Sequence, residues 1–194
     1  MKRDAMIPLS NFTTSFLSIG KDTETILKKL LVQSGPHSEQ LKRLLIINTK
    51  DCLSNTTSKA YKELINKSIK EIIDDGYIKI VPKVAFEEYA EKKSYIIISY
   101  DNFLPTSNTE FRDCIVNFDI ICHTDCWDIG NYEIRPLKIA GYIDGILNNT
   151  KLSGIGTFNF LGCTEVVFNE NLSGYTLSYK AVHGSDDKIP SEED

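Results

Sequence analysis

The sequence contains no long apolar run. None of its hydrophobic stretches approaches the ~20 residues that a helix needs to cross a bilayer. The first residues, MKRDAMIPLSNF, are basic but lack the apolar core of a signal peptide. We therefore expect a protein that is made and folded in a cytoplasm and has no membrane partner.

An excess of positive charge is also missing. The chain has 22 Lys and Arg against 27 Asp and Glu, which gives a net charge of −5. A dedicated nucleic-acid-binding protein usually carries a basic face, so this balance argues against that class. Part of the acidic excess lies in residues 185–194, SDDKIPSEED, which have nothing to bury and are expected to form a disordered tail.

A complete set of cysteine pairs is missing too, because the chain has five cysteines. In a reducing compartment we expect all of them to be free thiols. Three of them lie in the stretch CIVNFDIICHTDCWD (Cys114–Asp128), together with His123 and the only tryptophan. This density raises the question of a metal or thiol site.

A metal site in this stretch would need three or four ligands that converge on one ion. Alternation along a strand places Cys114 and Cys122 on one face, but roughly 26 Å apart at ~3.3 Å per residue, and it turns His123 to the other face. Cys126 could approach Cys122 only if the chain turns at Thr124 and Asp125. We therefore predict no metal and no cofactor, and we interpret the cysteines as buried core residues.

A small cytoplasmic thiol or metal-dependent enzyme is the first alternative, and it would use Cys122, His123 and Cys126. A catalytic cysteine needs a neighbouring base and an electropositive setting. His123 is close in sequence, but no familiar nucleophile signature surrounds any of the cysteines. We expect a protein without enzymatic activity and keep the enzyme as an alternative.

The hydrophobic periodicity predicts an α+β fold, because helical spacing before Gly76 gives way to a period of two after it. The predicted helices are Asp22–Gln33, a second from Ser38, Ser58–Ile73 and Glu133–Asn148. The predicted strands are Tyr77–Val81, Ser94–Tyr100, Arg112–His123, Thr157–Asn169 and Tyr175–His183, with a loop over residues 101–111. Short connections and one crossover helix indicate a mixed or antiparallel sheet with that helix packed on one face, preceded by a helical N-terminal segment.

Two of these elements predict the core. In Arg112–His123 the alternate residues should share the buried face: Cys114, Val116, Phe118, Ile120 and Cys122. In the crossover helix a stripe at helical spacing should face the sheet: Leu137, Ala140, Ile143 and Leu147. Gly141 and Gly145 lower helix propensity, and we expect them to permit close packing.

The chain divides into four segments on this interpretation. They are an N-terminal arm (residues 1–20), a helical segment (21–75), an α+β domain (76–184) and the acidic tail (185–194). The arm carries scattered apolar residues without a clear period. It must therefore dock either on its own domain or on a neighbour.

Four segments follow one another between Tyr95 and Gly184. They are the strand IIIS (Ile96–Ser99), the long strand FRDCIVNFDIICHTD (Phe111–Asp125), the helix RPLKIAGYIDGILNN (Arg135–Asn149) and the last strand pair within Lys151–Gly184. In this order they resemble the head–tail connector proteins of tailed bacteriophages, of the tail-terminator or tail-completion type.

The resemblance implies a structural virion protein of the phage neck, at the head–tail junction. Such proteins form rings, commonly hexamers or dodecamers, around the channel through which DNA passes. They join the portal and adaptor proteins to the tail and terminate the tail tube. The implied partners are other copies of the chain, portal or adaptor proteins and tail-tube proteins, with DNA only as passing cargo.

Residues 76–184 would form the ring on this hypothesis. Trp127, Tyr132 and Phe103 are the predicted contact residues for subunits or partners. A protein-interaction module that forms no ring is the second alternative.

Overall fold

The computed structural model describes residues 16, 19–81, 91–106 and 111–184. The helices in these ranges are α1 (Ile19–Lys28), continued by a π-helical turn (Lys29–Gln33), α2 (Pro36–Ile46), α3 (Lys59–Asn66), α4 (Ile69–Asp74) and α5 (Arg135–Leu147). The strands are β1 (Ile78–Ile80), β2 (Ser94–Pro105), β3 (Phe111–His123), β4 (Lys151–Leu152), β5 (Gly156–Thr157), β6 (Asn159–Val167) and β7 (Leu172–Gly184). The predicted α+β fold, with a helical segment before the sheet, is confirmed.

The predicted arm and tail lie almost wholly outside the described residues. Only Phe16, Ile19 and Gly20 of the arm are described, and α1 already begins at Ile19. No helix in the described ranges is long and apolar enough to cross a membrane.

The main sheet has five strands in the order β1-β2-β3-β7-β6. β1 runs parallel to β2, and every other neighbouring pair is antiparallel, so the sheet is mixed. β3 and β7 pair without interruption from Phe111 opposite Gly184 to His123 opposite Leu172. This long central pair forms the base on which the helices pack.

Strand β3 confirms the predicted alternation. Its five even-numbered residues from Cys114 to Cys122 are all at most 1% exposed and belong to the main core. Leu177, Tyr179 and Ala181 of β7 extend the same buried face. The period of two therefore identified the helix-covered side of the sheet correctly.

Strand β2 is longer than predicted, because residues 101–105 belong to it rather than to a loop. A bulge between Asp101 and Leu104 interrupts the ladder, with Asn102 in the left-handed region at φ 53°. Pairing then resumes, with Leu104 opposite Asp113 and Pro105 opposite Arg112. Turn-forming residues here make a bulge within a strand, which a composition-based prediction cannot distinguish from a loop.

The single predicted helix over Ser58–Ile73 is wrong, because two helices, α3 and α4, replace it. Ser68 begins the second of them with a capping box, in which its hydroxyl accepts from the Glu71 amide at 3.2 Å and Glu71 Oε2 accepts from the Ser68 amide at 2.7 Å. Such a reciprocal cap satisfies amides that a new helix would leave unpaired. The apolar stripe runs through both helices and conceals the break.

Helix α5 is the predicted crossover between β3 and β6, and it packs against β3 and β7. Its core stripe is partly wrong, because Leu137 is 43% exposed. The buried side chains of α5 include Ile139, Ala140, Ile143, Ile146 and Leu147. At about 100° per residue, Leu137 points some 120° away from Ile143.

The two glycines of α5 do not mediate close packing. A Cβ atom built on Gly141 or Gly145 would meet no heavy atom of the described structure within 4 Å. Both glycines instead lie on the solvent side of the helix, beside a cavity of about 360 Å³ that His37 and Tyr142 also line.

Arg135 ties the helical segment to the sheet. Its side chain is fully buried and donates to four backbone carbonyls: Cys126 at 2.6 Å, Leu44 at 2.6 Å, Ile47 at 2.8 Å and Thr49 at 2.8 Å. Two of these lie at the C-terminal end of α2, where carbonyls lack helical partners and a cation is favoured. The helices before Gly76 and the sheet after it therefore share one hydrophobic core.

Candidate functional site

Strand β6 forms one edge of the main sheet and is the candidate functional site. It pairs with β7 on one side, and no strand of the described ranges pairs with its other side. Most of its nine residues are exposed, and they include Phe160 at 43%, Leu161 at 53% and Val167 at 69%. Exposed apolar side chains therefore lie along an edge whose outer side is paired with no strand of the described ranges.

A local turn holds β6 in place. Asn169 Oδ1 accepts hydrogen bonds from the amides of Asn171 and Leu172, both at 2.9 Å, and the Phe168 amide donates to the Leu172 carbonyl at 3.0 Å. This is the self-bonding turn that asparagine favours. The hairpin thus fixes β6 against β7, and the exposed edge is part of a regular ladder.

The edge lacks the features that usually prevent strands from joining. The sequence of β6, NFLGCTEVV, contains no proline and no lysine, and Glu165 is its only charged residue. A bulge between Phe160 and Gly162 is its one irregularity. Charges, prolines and short length normally protect an edge against addition of another strand, so an edge of this composition can accept one.

Helix α5 covers the centre of the sheet more than it covers β6. Cys163 pairs with Leu177 and Glu165 with Tyr175, so both residues, together with Val167, point to the helix side of the sheet. Helix α5 packs mainly on β3 and β7, and its C-cap Asn148 reaches β6 through its side chain, which accepts from the Phe160 amide at 3.3 Å. Cys163, Glu165 and Val167 are exposed, so they lie at the margin of the helix layer.

The cysteine-rich stretch is a core strand and the turn that follows it. Cys52, Cys114, Cys122 and Cys126 are buried, and Cys163 is exposed. Burial raises the pKa of Cys114 and of Cys122 to about 12, and it also raises the pKa of the other three thiols. A neutral, buried thiol is a poor nucleophile.

The residues of the alternative enzyme site are near one another but serve the turn. His123 Nδ1 accepts a hydrogen bond from the Asp125 amide at 3.2 Å, which caps the short 3₁₀ turn Thr124–Cys126. Within the described ranges, no group of three or more His, Cys, Asp or Glu side chains could hold a metal ion.

Thiol labelling should therefore separate the exposed cysteine from the buried ones. At neutral pH a maleimide is expected to modify Cys163 alone in the folded monomer and all five cysteines in denaturant, because Cys163 is the one exposed cysteine of the five. Mass spectrometry of the labelled chain measures this. Fast labelling of Cys122 or Cys126 in the folded protein would contradict the assignment and revive the thiol enzyme.

The structure brings two of the three predicted contact residues together. Trp127 is half-buried, and its Nε1 donates to the Cys122 carbonyl at 3.3 Å. Tyr132 is fully exposed at the tip of a turn in which Gly130, Asn131 and Tyr132 all have positive φ. Trp127 and Tyr132 line the same concavity of about 700 Å³.

Phe103 lies at the opposite end of the sheet. It lies within the β2 bulge, near the start of β3, and its ring lies 5.0 Å from that of Phe16 and 6.5 Å from that of Tyr100. Phe103 therefore cannot share one contact surface with Trp127. The contact roles of all three residues stay predictions.

The exposed residues of β6 did not enter the sequence prediction. The sequence does predict a long strand here, but the edge position depends on strand order, which is a property of the tertiary structure. The composition of β6 was the one available signal for an exposed contact surface. A nine-residue strand with one charge and several apolar residues is expected to be buried on both faces and paired on both edges.

Taken together, these observations define an α+β protein whose strand β6 forms a sheet edge whose outer side no described strand pairs with. A model of the YomW family, which is a phage-derived family, matches residues 38–181, from within α2 to near the end of β7, and the chain belongs to the YomW family. The match supports the phage part of the resemblance. No curated protein matches the chain.

Proposed function

We propose that the chain is a structural protein of the phage neck, without enzymatic activity, that forms an oligomeric ring between head and tail. The uncovered edge of β6 carries this proposal. A monomer with such an edge is prone to aggregate. When two different surfaces of identical subunits bind each other, each subunit is rotated relative to the one before it. The subunits close into a ring if this rotation is a whole-number fraction of a full turn.

The phage-derived family and the resemblance to head–tail connectors support a position of this ring in the phage neck. The partners on this proposal are other copies of the chain, the portal or adaptor above and the tail tube below. The ring resides in the virion at the head–tail junction and terminates the tail tube, after synthesis in the host bacterial cytoplasm.

The sheet face opposite the helices is suited to a channel that DNA passes. Lys180 is paired with Asp113 at 2.7 Å, Thr176 donates to Asp119 at 2.6 Å and Ser178 donates to Asn117 at 2.7 Å. A cation that already has a carboxylate partner is less available to neutralise phosphates. If this face lined the channel of the ring, DNA could slide past it. A ring with a strongly basic inner surface would count against this arrangement.

Size-exclusion chromatography with light scattering tests the ring directly. We expect a closed oligomer, six- or twelvefold, either alone or in the presence of tail tubes and portal complexes of the same phage. Negative-stain images of that oligomer should show a central opening. A chain that stays monomeric under all these conditions contradicts the proposal and favours an interaction module that forms no ring.

A lysine on the edge should weaken the oligomer. Val167→Lys places a charge on the 69%-exposed end of β6, where the folded monomer tolerates it, and should lower self-association by about tenfold or more. Val32→Lys is the matched control, since Val32 is 58% exposed in the π-helical turn after α1. Concentration-dependent light scattering compares the two, and equal association of both variants would contradict a role for β6.

A further inference from the structure

The opposite edge of the sheet carries an apolar groove. It lies between α1, α4 and β1, has a volume of about 590 Å³ and is lined mainly by Ile19, Leu27, Ile69, Ile73 and Ile80. We call it the β1 groove. Ile80 is 44% exposed although it belongs to a strand of the main sheet, so no residue of the described ranges fully covers the apolar surface beside β1.

The β1 groove lies on the helix side of the sheet. Ile80 pairs with Ile98, whose side chain is fully buried in the main core beneath the helices. Residues that pair across neighbouring strands point to the same side. A strand added beside β1 would therefore direct its helix-side residues into this groove.

Strand β6 has matching features on the same side of the sheet. Beyond its bulge, the regular part Cys163–Val167 is about 17 Å long at ~3.3 Å per residue, and the ten residues of α1 span about 15 Å. Cys163 and Val167 are small, weakly polar or apolar groups at the two ends of this part, and both are exposed. Their size and spacing fit an apolar groove of that length.

The charges of the two surfaces are complementary. Glu165 lies between Cys163 and Val167 and is exposed, whereas Lys28 and Lys70 line the β1 groove. Glu24 also lines it and pairs with Lys28 at 2.7 Å, so the groove retains one more lysine than carboxylates. A carboxylate brought to this rim meets a net positive charge.

We propose that β6 of one copy adds to the sheet of a second copy at β1, with Cys163 and Val167 against the β1 groove and Glu165 at its lysine-bearing rim. In the sheet order, β6 runs opposite to β1. A rotation about an axis along the strands therefore brings the two edges together as an antiparallel pair. The contact joins two different surfaces, so each copy can bind one neighbour through β6 and another through β1.

We call this contact between β6 and β1 of two copies the joint. Only its closure into a ring rests on the proposed function. The strand addition itself needs no phage partner. A head-to-tail contact that failed to close would form filaments and would still use the same two edges.

Disulfide trapping tests the joint in the full chain. Ile80→Cys places a thiol beside the β1 groove, and Cys163 is the native exposed thiol on β6. With copper–phenanthroline as the oxidant, we expect an interchain disulfide between positions 80 and 163 and a ladder of linked chains on a non-reducing gel. Val32→Cys, an exposed site outside the groove, should give no ladder, and adding Cys163→Ser to Ile80→Cys should abolish it.

Three results would overturn the joint. The first is a Cys163–Cys163 dimer in the unaltered chain, which would indicate that two β6 edges pair with each other. The second is an oligomer of Ile80→Cys that yields no more linked product than Val32→Cys. The third is a chain that remains monomeric and unlinked at every concentration.

If Ile80→Cys fails to fold, exchanging the charges of Glu165 and Lys70 tests the joint instead. Glu165→Lys and Lys70→Glu should each weaken self-association by about two- to fivefold, as expected for an exposed ion pair, and the double variant should recover it. Additive losses in the double variant would overturn the joint. A ring without the 80–163 link refutes this joint alone, whereas a linked oligomer that never joins tails refutes the neck function alone.

Discussion

Arg135→Met is expected to lower the free energy of unfolding by about 3 kcal/mol or more. The substitution leaves four backbone carbonyls without the guanidinium that now binds them, at 2.6–2.8 Å. Three of these carbonyls, those of Leu44, Ile47 and Cys126, belong to buried residues, where water cannot easily replace the lost donors. Methionine fills much of the volume but donates no hydrogen bond. Urea unfolding followed by circular dichroism measures the change.

Lys138→Met is the matched control for this experiment. Lys138 lies in the same helix, but its side chain is 35% exposed and pairs with Glu133 near the surface. Exposed ion pairs contribute at most about 1 kcal/mol, so this change should have a small effect. Equal stability losses for the two variants would show that Arg135 does not hold the helical segment to the sheet.

Gly174→Ala is expected to disrupt the centre of the sheet, at a cost of about 3 kcal/mol or more. Gly174 lies opposite Ile121 in the ladder between β3 and β7. A Cβ atom at this position would lie 1.7 Å from the carbonyl oxygen of Ile120. Backbone atoms cannot rotate away as a side chain can, so the two strands would have to separate. Thermal unfolding and hydrogen exchange of β3 amides report this change.

Gly162→Ala provides the comparison within the same sheet. A Cβ atom at Gly162 on β6 would meet no heavy atom of the described structure within 4 Å. We expect its effect to be within about 0.5 kcal/mol. If alanine at position 174 were tolerated as well as alanine at position 162, the close approach of β7 to β3 would be incorrect.

The sequence predicted the central strand and the crossover helix well, for a physical reason. Strand β3 is buried on one face and half-exposed on the other. The alternation of apolar and polar residues in its sequence therefore matches the environment of its two faces. Helix α5 contains Pro136 in its first turn, and this placement is a local signal for the start of a helix. Local patterns of this kind need no knowledge of the neighbouring elements.

The remaining features depend on tertiary contacts. Leu137 has the spacing of a core residue, but the direction from which β3 and β7 approach α5 decides that Ile139 is buried instead. Arg135 resembles any surface arginine in sequence, because its four acceptors come from residues 9 to 91 positions away. Strand order likewise depends on tertiary contacts, and this order places β6 at an edge of the sheet.

The candidate site was therefore only partly predictable. The stretch Cys114–Asp128 drew attention through its composition, and face counting assigned Cys122 and His123 to opposite faces of one strand. The more informative surface lies on β6. Its significance emerges only when the sheet order leaves it uncovered beside exposed Phe160 and Val167.

Electron cryomicroscopy of the assembled full-length chain tests the central claim most directly. We predict a closed ring in which β6 of each copy is hydrogen-bonded to the sheet of its neighbour and is shielded from solvent. A closed ring with β6 facing solvent, or a uniformly monomeric chain beside tails and portals, would contradict the account.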